Sequence, residues 1–176
     1  MFLSIRELEL GKVRFTEAFP PESIEFFDKK LWQASPVQVS GTAELNGATA
    51  EIRVRGHITV LMEAECDRCL ETATFPLDTD FELFYMPASS LEAAEASIDE
   101  SELEMGFYEE EGLELTAVVR EQILLSLPMQ RLCRPDCRGL CPLCGQNRNV
   151  SSCGCQPKPV DDRWGALRDI ANITRH

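Results

Sequence analysis

The sequence predicts an α+β protein: an antiparallel β-sheet packed by one long helix, with a zinc-ordered, cysteine-rich C-terminal segment. Three observations lead to this prediction: apolar and polar residues alternate over residues 37–86, a helical repeat covers residues 115–127, and eight cysteines form four close pairs. A period of two is typical of half-buried strands, and a period near 3.6 residues is typical of amphipathic helices. We therefore predict a sheet-and-helix domain over residues 1–127, and a zinc-binding segment with a short C-terminal helix over residues 128–176.

Alternating runs predict the strands of the sheet. Residues from Leu3 to Phe15 predict one or two edge strands, with a change of register near Arg6 and Glu7. The apolar positions of three further runs are, in order, Val37, Val39, Ala43 and Leu45; Ile52, Val54, Ile58, Val60, Met62 and Ala64; and Ala73, Phe75, Leu77, Phe81, Leu83 and Tyr85. Asn46-Gly47 is a strong signal for a type I′ hairpin between the first two of these runs.

The alternation stops over residues 87–112, where we predict an acidic mobile loop. No lysine or arginine occurs between Arg68 and Arg120, whereas 14 aspartates and glutamates do. Such a segment buries too little apolar surface to pack well, and it could tether a basic partner.

A helix is predicted after this loop. Its stripe comprises Leu115, Val118, Val119, Gln122, Ile123 and Ser126, widened by Leu124, Leu125 and Leu127. The breadth of the stripe predicts burial against the sheet, and Pro128 ends the helix. A shorter helix is expected from about Asp161, and its apolar line of Trp164, Leu167 and Ile170 is expected to pack into the core.

The four cysteine pairs are spaced as zinc ligands are. They are Cys66 with Cys69, Cys133 with Cys137, Cys141 with Cys144, and Cys153 with Cys155. Two tetrahedral zinc sites need eight thiolates, and pairs two to four residues apart commonly supply them. We favour one site made by the first two pairs and one made by the last two, although interleaved divisions stay open. The first pair falls between two predicted strands, so a metal-bound knuckle would replace an ordinary turn there.

The surroundings of the cysteines favour structural zinc over other thiol chemistry. The N-terminal residues carry charges at Arg6 and Glu7 and no apolar signal region, and no uncharged run is long enough to span a membrane, so we expect a cytoplasmic protein. Thiols stay reduced in that compartment, which disfavours disulfides. Catalytic zinc usually includes other ligand types and an open position, but the only histidines are His57 and His176. We therefore predict no catalytic residues and no enzyme activity.

The charge of the chain is unevenly distributed. The net charge is −13, and the basic residues concentrate among the later cysteines, where Arg131, Arg134, Arg138 and Arg148 interleave with the ligands. This interleaving resembles nucleic-acid-binding zinc modules. The same arginines could instead neutralise four-thiolate zinc centres, and both readings stay open. The acidic first part would repel a phosphate backbone, so general polyanion binding is excluded.

Two blocks of this sequence resemble the bacterial YceD family. The first is Cys66-x-Arg68-Cys69-Leu70. The second comprises Leu127-Pro128, Leu132-Cys133, Asp136-Cys137, Gly139-Leu140-Cys141-Pro142, Cys144-Gly145, Asn147, Asn149, Cys153-Gly-Cys155 and Asp162-Arg163-Trp164-x-x-Leu167. Arg148 stands where the resemblance leads us to expect leucine.

The resemblance implies a ribosome-biogenesis factor that supports accumulation or maturation of large-subunit ribosomal RNA. Its partner would be precursor RNA or a ribosomal protein, and we expect Arg134, Arg138 and Arg148 to contact RNA. The alternative is a zinc-stabilised interaction adaptor whose acidic loop binds basic partners. A thiol oxidoreductase is a third class, and it would require a reactive cysteine of low pKa. The sequence indicates no oligomeric state.

Overall fold

The computed structural model describes residues 1–90, 105–109 and 111–155, and the labels below number the elements within these ranges. The elements are β1 (Phe2–Ser4), α1 (Ile5–Leu10), β2 (Val13–Phe19), β3 (Leu31–Gln33), β4 (Val37–Asn46), β5 (Glu51–Glu65), β6 (Thr72–Pro87), β7 (Gly106–Tyr108), β8 (Gly112–Glu114) and α2 (Leu115–Ser126). Among these residues, no helix is both long enough and apolar enough to cross a membrane.

The sheet has six strands and is mostly antiparallel, which confirms the predicted α+β class. Its strand order is β2-β4-β5-β6-β7, and the short β3 pairs with β5. Strand β4 pairs with β5 up to Thr59, and β3 pairs with β5 at residues 62–64, so these two strands share one edge of β5. Only β7 runs parallel to its neighbour, β6. Strands β1 and β8 form a separate antiparallel pair.

The core lies on one face of the sheet, as the alternation predicts. Alternate residues of β5, from Ile52 to Ala64, point into it and are buried, with Gly56 at the same parity. Helix α2 buries Leu115, Val118, Val119 and Ile123 and contacts β6 and β8. These four positions follow the helical repeat, so burial of one helix face against the sheet holds the two layers together.

The N-terminal prediction was partly wrong. Strands β1 and β2 do form, but α1 lies between them at the position of the expected register change. Ser4 caps the start of this helix: the Glu7 backbone N–H donates to Ser4 Oγ over 3.3 Å, and Ser4 Oγ donates to Glu7 Oε2 over 3.0 Å. This local cap starts a helix where hydrophobic alternation alone indicated a strand.

The β4–β5 hairpin is confirmed, but its turn is longer than predicted. Asn46 pairs with Glu51, so four residues form the loop instead of the two of a type I′ turn. The Ala48 backbone N–H donates to Asn46 Oδ1 over 3.1 Å, and Ala50 takes a positive φ of 55°. The short β3 was not predicted, because three residues are too few to show a period.

Two further predictions about α2 and the acidic segment need correction. Helix α2 has 12 residues, which is an average length, and Leu124 and Leu125 are exposed where burial was expected. At the described C-terminal end of the predicted loop 87–112, β7 forms and β8 begins at Gly112, and Tyr108 and Leu113 of these strands are buried. Residues 91–104 and 110, and the helix predicted from Asp161, lie outside the described residues.

Candidate metal centres

The first cysteine group joins the β5–β6 hairpin to the segment that follows α2. Cys66 and Cys69 lie in the hairpin turn, and Cys133 and Cys137 follow the helix. Their four Sγ atoms all lie within 4.8 Å of one another. The Cys66 and Cys137 sulfurs are 3.9 Å apart, and those of Cys69 and Cys133 are 3.6 Å apart. This arrangement could hold a metal ion in a largely buried position.

Hydrogen bonds around the first group fix the hairpin turn to the later segment. The Asp67 N–H donates to Arg131 O over 2.8 Å, and the Arg131 N–H donates to Asp67 Oδ2 over 2.6 Å. The Leu140 N–H donates to Arg68 O over 2.9 Å. Side chains add to these links, since Arg131 pairs with Asp28 at 2.8 Å and Arg68 donates to Cys137 O over 3.0 Å. These contacts therefore join residues on both sides of the domain boundary predicted at residue 127. The boundary itself remains a prediction.

The second group lies entirely within the last described residues. The Sγ atoms of Cys141, Cys144, Cys153 and Cys155 also lie within 4.8 Å of one another. Cys144 and Cys155 are exposed, whereas three of the four cysteines in the first group are buried. The structure thus brings together the same two sets of four cysteines that the sequence analysis favoured. Their different burial indicates different contributions to stability.

The two C-x-x-C turns have the same backbone geometry. The Leu70 N–H donates to Cys66 O over 3.0 Å, and the Gly145 N–H donates to Cys141 O over 2.9 Å. Leu70 and Gly145 both take a positive φ, of 62° and 73°. A glycine adopts this conformation without strain, but a leucine is strained there. The first turn therefore carries a bulky residue at a position that favours glycine.

Replacing Leu70 tests this strain. Leu70→Gly is expected to raise the free energy of unfolding by up to about 1 kcal/mol, because glycine relieves the left-handed backbone. Leu70→Ala keeps the backbone strain and should change the free energy of unfolding little, since the Leu70 side chain is 54% exposed. Urea unfolding followed by circular dichroism measures both variants. Equal stabilities for the glycine and alanine variants would show that the turn is not strained.

Backbone N–H groups favour the thiolate form of one cysteine in each turn. Burial raises the pKa of the Cys66 thiol, but the N–H groups of Arg68, Cys133 and Cys69 outweigh burial and lower the pKa to about 6. The N–H groups of Cys144 and Leu143 are the main cause that lowers the pKa of Cys141 to about 6. In redox-active C-x-x-C motifs, the reactive cysteine lies at the N-terminus of a helix. Neither thiol does so here, because Cys66 follows a strand and Cys141 lies in a loop.

The other thiols of each group show why a cation suits these sites. Burial is the main cause that raises the pKa of Cys133 to about 12, and the adjacent cysteines add to it. The neighbouring Cys144 is the main cause that raises the pKa of Cys155 to about 12. Four thiolates cannot share such a small volume without a positive charge between them. Each group is therefore suited chemically to a thiophilic metal ion.

Asn149 is a site residue to which the sequence analysis gave no role. Its Nδ2 donates to Cys137 Sγ over 3.3 Å, and its Oδ1 accepts from the Arg138 N–H over 2.8 Å. The donated hydrogen bond is the main cause that lowers the pKa of Cys137. Asn147 contacts the first turn as well, since its Nδ2 donates to Glu71 Oε1 over 3.3 Å. The only signal in the sequence was the pair of asparagines between the last two cysteine pairs.

The structure separates the arginines into two sets. Arg68 and Arg131 are held by the contacts described above and support the first cysteine group. Arg134, Arg138 and Arg148 are exposed on the loops between the cysteines. Arg134 lies 3.5 Å from the exposed Asp136, and the Arg148 N–H donates to Gly139 O, next to Arg138. The last two arginines therefore lie on adjacent backbone segments.

Several curated proteins are similar to this chain over most of its length. An uncharacterized protein of Mycobacterium tuberculosis is 32% identical over 120 residues, which are 68% of this chain and 55% of that protein. The chain thus spans about half the length of this relative. The uncharacterized protein YlbN of Bacillus subtilis is 24% identical over 168 residues, which are 94% of this chain and 92% of YlbN. No solved structure matches the chain.

Two comparisons bear a functional description. A maize protein named "Large ribosomal RNA subunit accumulation protein YCED homolog 1, chloroplastic" is 39% identical over 49 residues, which are 27% of this chain and 17% of the maize protein. Residues 54–171 match the family described as "Large ribosomal RNA subunit accumulation protein YceD". This match includes all eight cysteines and β6, β7 and most of β5. The chain therefore belongs to the YceD family.

Proposed function

We propose that this protein supports the accumulation or maturation of large-subunit ribosomal RNA in the bacterial cytoplasm. It does so by binding precursor RNA or its ribonucleoprotein without catalysing a reaction. The family description gives the biological process. One structural observation supports the mode of action: residues 133–155 form neither a helix nor a strand of the sheet, their six cysteines take part in two four-sulfur groups, and exposed arginines lie on the loops between these cysteines.

Two structural zinc ions fit the cysteine groups. Tetrahedral zinc with Zn–S bonds of about 2.3 Å places sulfurs about 3.8 Å apart. The two sulfur separations of the first group, 3.9 and 3.6 Å, agree with this spacing. Four cysteine ligands leave no open position for substrate, so zinc would stabilise the fold and the surface. The eight proposed ligands are Cys66, Cys69, Cys133, Cys137, Cys141, Cys144, Cys153 and Cys155.

The exposed arginines are the proposed contacts to RNA. Backbone N–H groups and the Asn149 amide donate to sulfurs of the first cysteine group, and none of the hydrogen bonds among the described residues joins a guanidinium of Arg134, Arg138 or Arg148 to these sulfurs. Those three side chains extend into solvent, where they can reach phosphate oxygens. Because three arginines neutralise few phosphates, binding would be weak, confined to a short stretch of RNA and sensitive to salt.

Charge reversal of the three arginines tests the proposed contact. The combined change Arg134→Glu, Arg138→Glu and Arg148→Glu is expected to abolish co-sedimentation with large-subunit precursor particles and to lower large-subunit ribosomal RNA in a strain that depends on the protein. A matched variant changes Arg6, Arg14 and Lys29 to glutamate, because these side chains are exposed and lie outside the cysteine groups. Both variants have the same net charge, and only the first should lose association.

Two results would contradict the contact. Normal particle association and RNA levels in the first variant would exclude these arginines as the RNA contact. Equal losses of association in both variants would show that the loss follows from the change in net charge and not from these three arginines. Metal content and circular dichroism of each purified variant show that its fold is intact.

A further inference from the structure

A groove lies on the side of the molecule formed by β1, β6, β7, β8 and α2. Its volume is about 1100 Å³. The apolar part of its lining includes Phe2, Tyr85, Phe107 and Val118. Phe2 of β1 and Phe107 of β7 are 45% and 44% exposed. The groove therefore offers exposed aromatic surface to another molecule.

The rim of this groove is acidic. It includes the exposed side chains of Glu109, Glu111, Glu114 and Glu121. Some acidic residues elsewhere in the described ranges pair with cations, as Glu44 does with Lys12 and Glu65 with Lys30. Over the described ranges 1–90, 105–109 and 111–155, no cationic side chain forms an ion pair with the rim. The negative charge of the rim is thus available to a partner.

No lysine or arginine is among the residues that line the groove. The sequence holds no lysine or arginine from residue 69 to residue 119. Arg120 of α2 is the nearest one in sequence, and its guanidinium lies over the Phe27 ring, 4.8 Å from the ring centroid. Phe27 is not part of the groove lining. The charge of the groove therefore differs in sign from that of the exposed arginines among the cysteines.

The floor of the groove is held in place by Tyr85 and Gly106. A Cβ atom at Gly106 would lie 2.5 Å from the Tyr85 ring, so the ring packs directly on the glycine backbone. Burial, and after it the negative charge of Glu121, raises the pKa of Tyr85 to about 12. The negative charge thus acts on the floor of the groove as well as on its rim.

We propose that this groove binds a segment of a partner protein in which lysine or arginine residues alternate with apolar residues. The ammonium and guanidinium groups would pair with the four glutamates, and the apolar side chains would cover Phe2 and Phe107. Long basic side chains can also lay their methylene groups over aromatic rings. An acidic rim repels RNA, so this surface is distinct from the arginines proposed to contact RNA. The inference does not depend on that contact.

Peptide binding to the metal-loaded full chain tests this proposal. The probe is a fluorescent synthetic peptide that alternates lysine with leucine, measured by anisotropy, and its control replaces each lysine by glutamate. The combined change Glu109→Lys and Glu121→Lys is expected to weaken binding of the lysine peptide by about tenfold and to reduce its salt dependence. Phe107→Ala should weaken binding without reducing the salt dependence. The combined change Glu22→Lys and Glu25→Lys, at exposed glutamates outside the groove lining, should leave binding unchanged.

Several outcomes would overturn the proposal. The wild-type chain could fail to bind the lysine peptide, or both pairs of glutamate changes could weaken binding equally. Direct binding of a fluorescent single-stranded RNA oligonucleotide to the wild-type chain, weakened by Phe107→Ala, would assign the groove to nucleic acid. The variant with Arg134, Arg138 and Arg148 changed to glutamate should bind the peptide as the wild type does, which separates failure of this inference from failure of the RNA contact.

Discussion

Replacing Cys66 by serine is expected to lower the free energy of unfolding by about 4 kcal/mol or more, since loss of a structural metal is among the largest single-residue effects. Cys66 is fully buried, and its Sγ accepts from the Cys133 N–H over 3.3 Å. The first cysteine group is also the place where the β5–β6 hairpin meets the segment after α2. Without metal, the remaining thiols would take up protons, and the bonds through the metal that join these two parts of the chain would be lost.

Cys144→Ser is the matched control for this prediction. Cys144 is exposed, and its group closes only the local loop between residues 141 and 155. Its loss should therefore change the free energy of unfolding of the sheet by less than about 1 kcal/mol and loosen only that loop. Urea unfolding by circular dichroism measures the first effect, and hydrogen exchange measures the second. Equal destabilisation by Cys66→Ser and Cys144→Ser would contradict the different contributions assigned to the two sites.

Gly41→Ala is expected to destabilise the protein by about 3 kcal/mol, because a methyl group has no space at this position in the sheet. Gly41 of β4 pairs with Gly56 of β5. A Cβ atom at Gly41 would lie 2.2 Å from the backbone oxygen of Arg55 and 2.6 Å from the Phe15 ring. The backbone oxygen belongs to the central strand pairing and cannot move away. The buried rings of Phe15 and Phe81 occupy the space above the two glycines.

Gly47→Ala provides the comparison for this change. Gly47 lies in the β4–β5 turn, and a Cβ atom there would meet no atom within 4 Å. Its replacement should change the free energy of unfolding by less than about 1 kcal/mol. Thermal unfolding of both variants measures the difference. A Gly41→Ala variant as stable as Gly47→Ala would mean that β4 and β5 approach less closely than described here.

Hydrophobic alternation was sufficient to predict the central strands, because one face of β4, β5 and β6 is buried and a period of two must then appear. It failed where short-range contacts decide the structure. The Ser4–Glu7 cap forms α1, and β3 and β7 are too short to show a period. The exposure of Leu124 and Leu125 could not be predicted either, since their spacing fits the helical stripe and only the sheet decides which side is covered.

The cysteine groups could be predicted because ligand spacing depends on short turns, which the sequence shows directly. The assignment of pairs to groups agreed with the structure for a similar reason: the last two pairs lie close in sequence, which leaves the hairpin pair for Cys133 and Cys137. The role of Asn149 and the division of the arginines depend on side-chain hydrogen bonds across distant residues, which no local pattern records. The groove was also unpredictable, because it brings together β1, β7 and α2.

X-ray absorption at the zinc edge, with metal counting on the same sample, most directly tests the claim that metal orders the cysteine-rich segment. The wild-type chain should hold one zinc ion for each of its two four-cysteine groups, with four sulfurs at about 2.3 Å from each ion. Cys66→Ser should retain the zinc of the second group. A chain purified under reducing conditions without stoichiometric metal, or a zinc shell containing nitrogen or oxygen ligands, would contradict the account.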